Sequence, residues 1–491
     1  MSDKLSVLKD YFGHDSFRDG QEQIVDALLD GRDALCIMPT GAGKSMCYQI
    51  PALLFDGVTI VVSPLISLMK DQVGSLVQSG VPAAYINSSL SYPQFLRVLS
   101  NVEHGKYKII YVAPERLLTD GFLDTCKKIK ISMVAVDEAH CVSQWGQDFR
   151  PSYLKIISFV ESLANRPIVG AFTATATNDV KEDIKKILRL ENPFEITTGF
   201  DRPNLFFGVI KSSSKDEKLI DLIRERGDRS GIVYCATRKN VESVCELLCD
   251  NGFSAARYHA GLDEYERRKN QEDFVFDRKN IMVATNAFGM GIDKPDVRVV
   301  IHYNVPDSIE AYFQEAGRAG RDGNKAYAVM LYNPRDSVQL KKRIDETYPD
   351  PEYIRNTYEN VCCYLQVGIG EGCGRTFDFS LEDFCRSFRQ FAVQTDSSLK
   401  ILDNAGYIRY EEERDYKSRL KFLATKEELY RIQNSDSEAE AVMQAILRHY
   451  TGVFADYVYI EETLLSGLTG LKNDLVYGIL KRLNSNRVVS Y

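Results

Sequence analysis

The sequence predicts two tandem α/β domains, each a doubly wound parallel sheet, followed by a mainly helical C-terminal region with a winged-helix-like unit. Three observations predict it. Up to about residue 205, short apolar runs alternate with stretches long enough for crossover helices. The same rhythm restarts after Asp201-Arg202-Pro203-Asn204 and continues to about residue 342. From residue 343 the alternation is lost and helical patterns dominate. The expected domains are therefore 1–205, 206–342 and 343–491.

In the first domain the expected strands are 34–38, 59–63, 83–86, 108–112, 133–136 and 168–173. Each is a near-continuous apolar run, as in a parallel strand buried on both faces. In the second domain they are 231–235, 255–258, 280–284, 297–302 and 327–331. Further on, Thr395-Asp396-Ser397-Ser398 is the expected cap of a helix carrying Leu399, Leu402 and Ala405, with Gly406 as its stop. Two short β runs, 407–410 and 420–424, then flank the charged stretch 411–419, so 375–430 reads as a winged helix. The pattern half-repeats where 475–483 precedes Arg487-Val488-Val489-Ser490-Tyr491, and the chain stops inside an apparent strand, as a truncated protein would.

The composition is that of an ordinary soluble globular protein, with 44% hydrophobic and 26% charged residues among 491. No apolar run is long enough to span a bilayer, and the first residues mix charges among apolar positions unlike a secretory signal. Eleven cysteines are scattered, several inside apolar runs, as buried thiols are in a reducing compartment. A cytoplasmic protein is expected, nucleoid-associated if bacterial, and no membrane partner. The net charge of −8 does not exclude a nucleic-acid partner, because phosphate binding depends on local surface and on helix N-termini.

Chemistry enters after the first strand, at Met38-Pro39-Thr40-Gly41-Ala42-Gly43-Lys44-Ser45. Glycines let backbone N–H groups wrap a phosphate. Lys44 then reaches the β and γ phosphates, and Ser45 offers a hydroxyl to Mg²⁺. The apolar run 133–136 delivers Asp137-Glu138-Ala139-His140 at the ligand-binding end of the same sheet. Asp137 is the expected Mg²⁺ holder, Glu138 the group that deprotonates the attacking water, and His140 a relay of γ-phosphate state. In the second domain, Gln314-Glu315-Ala316-Gly317-Arg318-Ala319-Gly320-Arg321 spaces two arginines so that a helix would put both on one face. A permanently cationic guanidinium there suits an arginine finger. With the phosphate loop on one domain and the finger on the other, turnover requires the cleft between them to close and open.

Together these segments resemble the RecQ family of superfamily 2 DNA helicases, in its DEAH-box variant, densely from about Phe12 to Pro334. The resemblance implies two RecA-like domains. It also implies that Gln21 in Phe17-Arg18-Asp19-Gly20-Gln21 hydrogen-bonds adenine, with Arg18 and His14 flanking the base; Asp19 stands where the family usually has Pro, and His14 where Tyr is common. Ser63-Pro64-Leu65-Ile66-Ser67-Leu68-Met69-Lys70 resembles a motif along the DNA backbone. Ala113-Pro114-Glu115-Arg116, Thr173-Ala174-Thr175-Ala176, Tyr258-His259-Ala260-Gly261 and Ala284-Thr285 resemble further strand-contacting or coupling motifs. Cys141-Val142-Ser143-Gln144-Trp145-Gly146-Gln147-Asp148-Phe149-Arg150 resembles the aromatic-rich loop that couples single-stranded DNA to hydrolysis. Trp145 and Phe149 would stack bases beside Arg150; Gln147 replaces a frequent His. Asp293 joins the interdomain network near the nucleotide by the same resemblance.

Many RecQ proteins carry a four-cysteine zinc platform after the motor. Here Cys362, Cys363, Cys373 and Cys385 contain no Cys-x-x-Cys pair, so zinc is not expected and these thiols, like Cys245 and Cys249, read as packing residues. The resulting expectation is a monomeric 3′→5′ DNA helicase using ATP and Mg²⁺ on single-stranded DNA and DNA with a 3′ overhang, with a place in recombination and repair by family resemblance. An ATP-dependent RNA helicase and a nonhydrolysing DNA-binding scaffold remain open alternatives.

Overall fold

The computed structural model describes residues 3–143, 149–199, 201–289, 294–368, 370–410, 418–424, 429, 437–450, 452–454 and 457–491. Its first seven strands are β1 (Ala34–Ile37), β2 (Val58–Val62), β3 (Ala83–Ile86), β4 (Ile109–Val112), β5 (Ile131–Val136), β6 (Ile168–Thr173) and β7 (Phe194–Thr197). They form one sheet in the order β3-β4-β2-β5-β6-β1-β7, parallel throughout. Helices cover both faces. One core includes Ile60, Val112, Val134 and Val169, the other Cys36, Val61, Tyr111 and Phe172. Each such fully buried side chain contributes about 1.5–3 kcal/mol of burial. Because β5, β6 and β1 are adjacent, the loops leaving their C-terminal ends share one rim, where parallel α/β sheets bind ligands.

The second lobe repeats this design with β8 (Leu205–Lys211), β9 (Gly231–Tyr234), β10 (Ala255–Tyr258), β11 (Ile281–Ala284), β12 (Val299–His302) and β13 (Ala326–Tyr332). The order is β10-β11-β9-β12-β13-β8, again parallel. The strands β7 and β8 were not among those expected. Both are edge strands. In β7 half-buried residues alternate with exposed ones, and β8 leaves Phe206 and Val209 exposed, so neither faces helices on both sides.

Past residue 343 the expectations need correction. The helix Ala392–Asn404 begins before the expected cap, so Thr395 and Ser398 lie buried within it, and the Ser398 hydroxyl donates to the Gln394 carbonyl at 2.8 Å. Gly406 follows it with φ +79°, the left-handed conformation expected of a stop. Residues 407–410 form no strand. The strand β14 (Ser418–Phe422) pairs antiparallel with β15 (Val458–Ile460) and β16 (Val489–Ser490), not with anything near 407. Its core is shared with helices Ser437–His449, Glu462–Thr469 and Asn473–Ser485. The winged-helix-like unit is thus the terminal one, displacing the expected 375–430. Among the described residues no helix is long and apolar enough to cross a membrane.

Candidate active site

The phosphate loop leaves β1 and ends on the helix Lys44–Leu54, whose cap is Gly43. Gly41 and Gly43 hold φ of +86° and +82°, which side chains beyond glycine rarely adopt. Lys44 and Ser45 open the helix, so unpaired first-turn N–H groups surround the loop's hollow. The Lys44 ammonium donates to the Met38 carbonyl at 3.2 Å. Gln21, 3% exposed, donates to the carbonyls of Ala42 and Gly43 at 3.0 and 3.1 Å and accepts the Arg18 N–H at 2.8 Å. Its amide therefore shapes the loop first, and reading adenine would require exchanged partners. Arg18 and His14 are exposed at the mouth, and the Arg18 guanidinium donates to the Gly41 carbonyl at 2.6 Å.

On the same rim, Asp137 follows β5 and is 8% exposed. Burial first, then the Glu138 carboxylate, push its carboxyl well above the usual range, while Lys44 pulls it down. Glu138 sits at φ +49°, a left-handed backbone for a non-glycine residue, the kind of strain found at functional sites. Its buried Oε2 has no hydrogen-bond partner among the described residues and lies 3.4 Å from His140 Nδ1. The same His140 nitrogen is 2.8 Å from Thr173 Oγ1, at the end of β6, so this rim is linked across adjacent strands. A buried Glu138 oxygen without a hydrogen-bond partner beside the buried Asp137 carboxyl fits a nearby divalent cation, which Ser45 and Asp137 would hold.

The second lobe meets this rim through the turn after the helix Ile309–Ala316. Arg318 and Arg321 lie beyond that helix, not on one of its faces, which corrects the expected geometry. Arg318 is 5% exposed and points into its own lobe, with Nη2 2.8 Å from where a Cβ on Gly289 would stand and its charge acting on the buried Tyr234 hydroxyl. Arg321, whose charge also acts on the Tyr234 hydroxyl, passes beside the phosphate loop, its Cγ 3.5 Å from the Cβ position of Gly41. Sequence reasoning missed a buried His302–Glu315 pair at 3.0 Å beneath this turn, and Arg202 in the linker. The Arg202 guanidinium donates to Thr40 of the phosphate loop at 3.1 Å and to Gly320 of the turn at 2.8 Å. Only the charged junction 201–204 hinted at it. Asp293 lies outside the described residues.

Residues 18–183 match the DEAD/DEAH box helicase family, 214–323 the helicase conserved C-terminal domain, and 420–491 the RecQ helicase winged-helix domain of Bacteroidota. The ATP-dependent DNA helicase RecQ of Bacillus subtilis (strain 168) is 46% identical over 343 residues, covering 70% of this chain and 58% of that protein. The probable ATP-dependent DNA helicase RecS of the same organism is 39% identical over 70% of this chain and 69% of its own length. The chain belongs to the RecQ family. It spans little more than half the length of the RecQ relatives from B. subtilis, Haemophilus influenzae and Pasteurella multocida, covering 58%, 56% and 55% of them. The DUF1998 helicase MrfA bound to DNA shares the fold of this RecQ-family chain, with a TM-score of 0.57, 18% identity and coverage of 72% of this chain and 54% of that one. Yeast Dbp5 bound to RNA and ADP BeF3 does so with a TM-score of 0.56, 19% identity and coverage of 71% and 92%.

The residues expected along DNA in this RecQ-family chain fall into two groups. Lys70 is exposed on the helix Ile66–Gln78, and Phe149 and Thr285 are half-buried. Arg116 lies over the Phe95 ring at 6.0 Å, and Arg150 donates to the Pro64 carbonyl at 2.9 Å, tying the aromatic-rich segment to the Ser63-Pro64 turn. By contrast, Ser63 is fully buried and His259 is 5% exposed. His259 accepts the Gly261 N–H at Nδ1 and lies 2.6 Å from Glu242 through Nε2, so both ring nitrogens are engaged inside the lobe. Ser63 and His259 are thus enclosed in their lobes, whereas Lys70 is exposed. Trp145 and Gln147 lie outside the described residues. Of the cysteines read as packing residues, Cys245 and Cys385 are buried, whereas Cys249, Cys363 and Cys373 are exposed. Among the described residues no group of three or more His, Cys, Asp or Glu is placed to hold a metal.

Proposed function

We propose that this chain is an ATP-dependent DNA helicase that advances 3′→5′ along single-stranded DNA, acting in recombination and repair as RecQ relatives suggest. One observation carries the reading: the turn bearing Arg321 on one lobe rests against the phosphate loop of the other. A triphosphate entering that loop would draw Lys44 from the Met38 carbonyl, and Glu138 would take the proton of the attacking water. Arg321 would meet the charge that develops on the transferred phosphoryl. Bound Mg²⁺, held by Ser45 and Asp137, would neutralise charge on the phosphates. His140 and Thr173 supply a path by which the state of the phosphate reaches the strand-contacting segments.

The deciding experiment is strand separation of duplexes with 3′ or 5′ overhangs, with and without ATP. Unwinding only of the 3′-tailed duplex, only with ATP, and none by Lys44→Ala is the expected result. Equal unwinding by Lys44→Ala would remove this site as the engine. A second reading has a specific motive: a mimivirus relative, 42% identical over 71% of this chain, bears the name putative ATP-dependent RNA helicase. Hydrolysis stimulated by single-stranded RNA and not by DNA of equal length would favour it. Sedimentation of the DNA complex tests the expected monomer.

A further inference from the structure

Arg202 is placed where a catalytic lobe contact would be set, although it touches no expected substrate position. Its Nη1 donates to the carbonyls of Thr40 and Gly317 at 3.1 and 3.4 Å, and its Nη2 to those of Ala319 and Gly320 at 3.0 and 2.8 Å. One planar group thereby joins the phosphate loop of the first lobe to three carbonyls of a single turn of the second. Those carbonyls lie in the turn after the helix Ile309–Ala316, and that of Gly320 also accepts the Gly323 N–H at 3.1 Å. Asn204, two residues on, reinforces the grip by donating to the carbonyls of Gly320 and Asn324 at 2.8 and 2.9 Å.

The surroundings make this grip more than incidental packing. Arg202 is half-buried, and among the described residues no ion pair neutralises it. Burial first, and the Arg18 charge second, both act against its protonated form. A cation kept there must be retained by its carbonyl acceptors. Its Nη1 and the Arg321 Cγ stand 3.2 and 3.5 Å from the same point, the Cβ position of Gly41. Gly317 is equally confined, since a Cβ there would lie 2.9 Å from the Phe313 carbonyl and 3.3 Å from Thr40 Cβ. In this arrangement the phosphate loop, the linker and the finger turn are packed against one another.

We propose that Arg202 is a positioning residue that, while the cleft is closed, latches the Arg321 turn to the phosphate loop, so that the finger follows the conformation of residues 40–43. The inference rests on the ATPase reading above and names the linker as the part that couples the two lobes. Lysine does not reproduce this role, because its donors radiate from one atom and cannot reach all four carbonyls that the two ends of the guanidinium hold.

The test compares Arg202→Lys, Arg202→Ala, Arg321→Ala and the Arg202→Ala/Arg321→Ala double variant in DNA-stimulated ATP hydrolysis. Misplacing the finger lowers kcat by about 10²-fold for Arg202→Lys, while KM for ATP stays within about twofold because no nucleotide contact is lost. The double variant is expected to be no slower than Arg321→Ala alone, since a latch acts only through what it holds. An unchanged kcat in Arg202→Lys, a rise confined to KM, or losses that multiply in the double variant would each overturn the latch. Amide hydrogen exchange across 317–321, measured on Arg202→Lys without nucleotide, gives a readout independent of turnover. Exchange there should rise, and unchanged exchange refutes the proposal even if the wild type hydrolyses no ATP. Absent hydrolysis by the wild type would instead refute the helicase reading.

Discussion

Glu138 combines two demands that oppose each other. Its carboxylate is the expected base, yet its backbone stands at φ +49°, a region that costs residues with a Cβ about 1–2 kcal/mol. Glu138→Gly should therefore unfold at higher temperature or urea concentration than Glu138→Ala, by about 1 kcal/mol, although neither retains the base. Equal stability of the two would mean that the backbone there is not strained. Glu138→Gln keeps the side-chain shape and should still bind ATP while losing roughly 10²–10⁴-fold in turnover, as single-turnover hydrolysis would reveal. Retained turnover would assign the base elsewhere. Residues of this kind were legible because their chemistry is written in side-chain types: an ammonium after glycines, two carboxylates after an apolar strand. Arg202 was not, because its partners are backbone carbonyls, which every residue possesses. Arg318 and Arg321 were recognised as cations but given a shared helical face. The helix ends at Ala316, so both arginines lie in the turn beyond it, Arg318 buried in its own lobe and Arg321 with its Cγ beside the phosphate loop.

Elements divide according to how many faces they bury. The central strands β2, β5, β9 and β12 are covered on both sides and stood out as continuous apolar runs, whereas the edge strands β7 and β8 did not. The C-terminal region differs: the sequence places 420–424 beside 407–410, but β14 finds its partners at β15 and β16, far along the chain. Long-range antiparallel pairing leaves no local mark. Central placement also makes a testable demand of Gly231 in β9, which pairs with β11 and β12. A Cβ there would stand 2.8 Å from Val299 Cγ1 and 3.2 Å from Ile281 Cδ1. Gly231→Ala should cost about 1–3 kcal/mol by overpacking, seen as an earlier unfolding transition. An unshifted transition would show that Val299 and Ile281 can give way.

At the scale of the whole molecule, a motor requires that the lobes separate as well as meet. The close approach of Thr40 and Gly317 offers a way to forbid separation. A Cβ on Gly317 would lie 3.3 Å from Thr40 Cβ, near the roughly 3.5–4.5 Å spanned in a disulfide, so modest adjustment would allow a Thr40→Cys/Gly317→Cys bridge. The exposed thiols Cys249, Cys363 and Cys373 would first be replaced by serine, so that oxidation acts at the engineered pair alone. If turnover is tied to lobe movement, the oxidised protein should stop unwinding 3′-tailed duplexes and regain the rate of its own reduced form on adding a thiol. Comparison with that reduced form removes any direct effect of changing Thr40 in the phosphate loop. Unwinding that continues at the reduced rate, with the bridge verified by mass spectrometry, would mean that these two surfaces stay together throughout the cycle. The stroke would then have to arise elsewhere, and the contact between Arg321 and the phosphate loop would be static architecture, not the moving part of a motor.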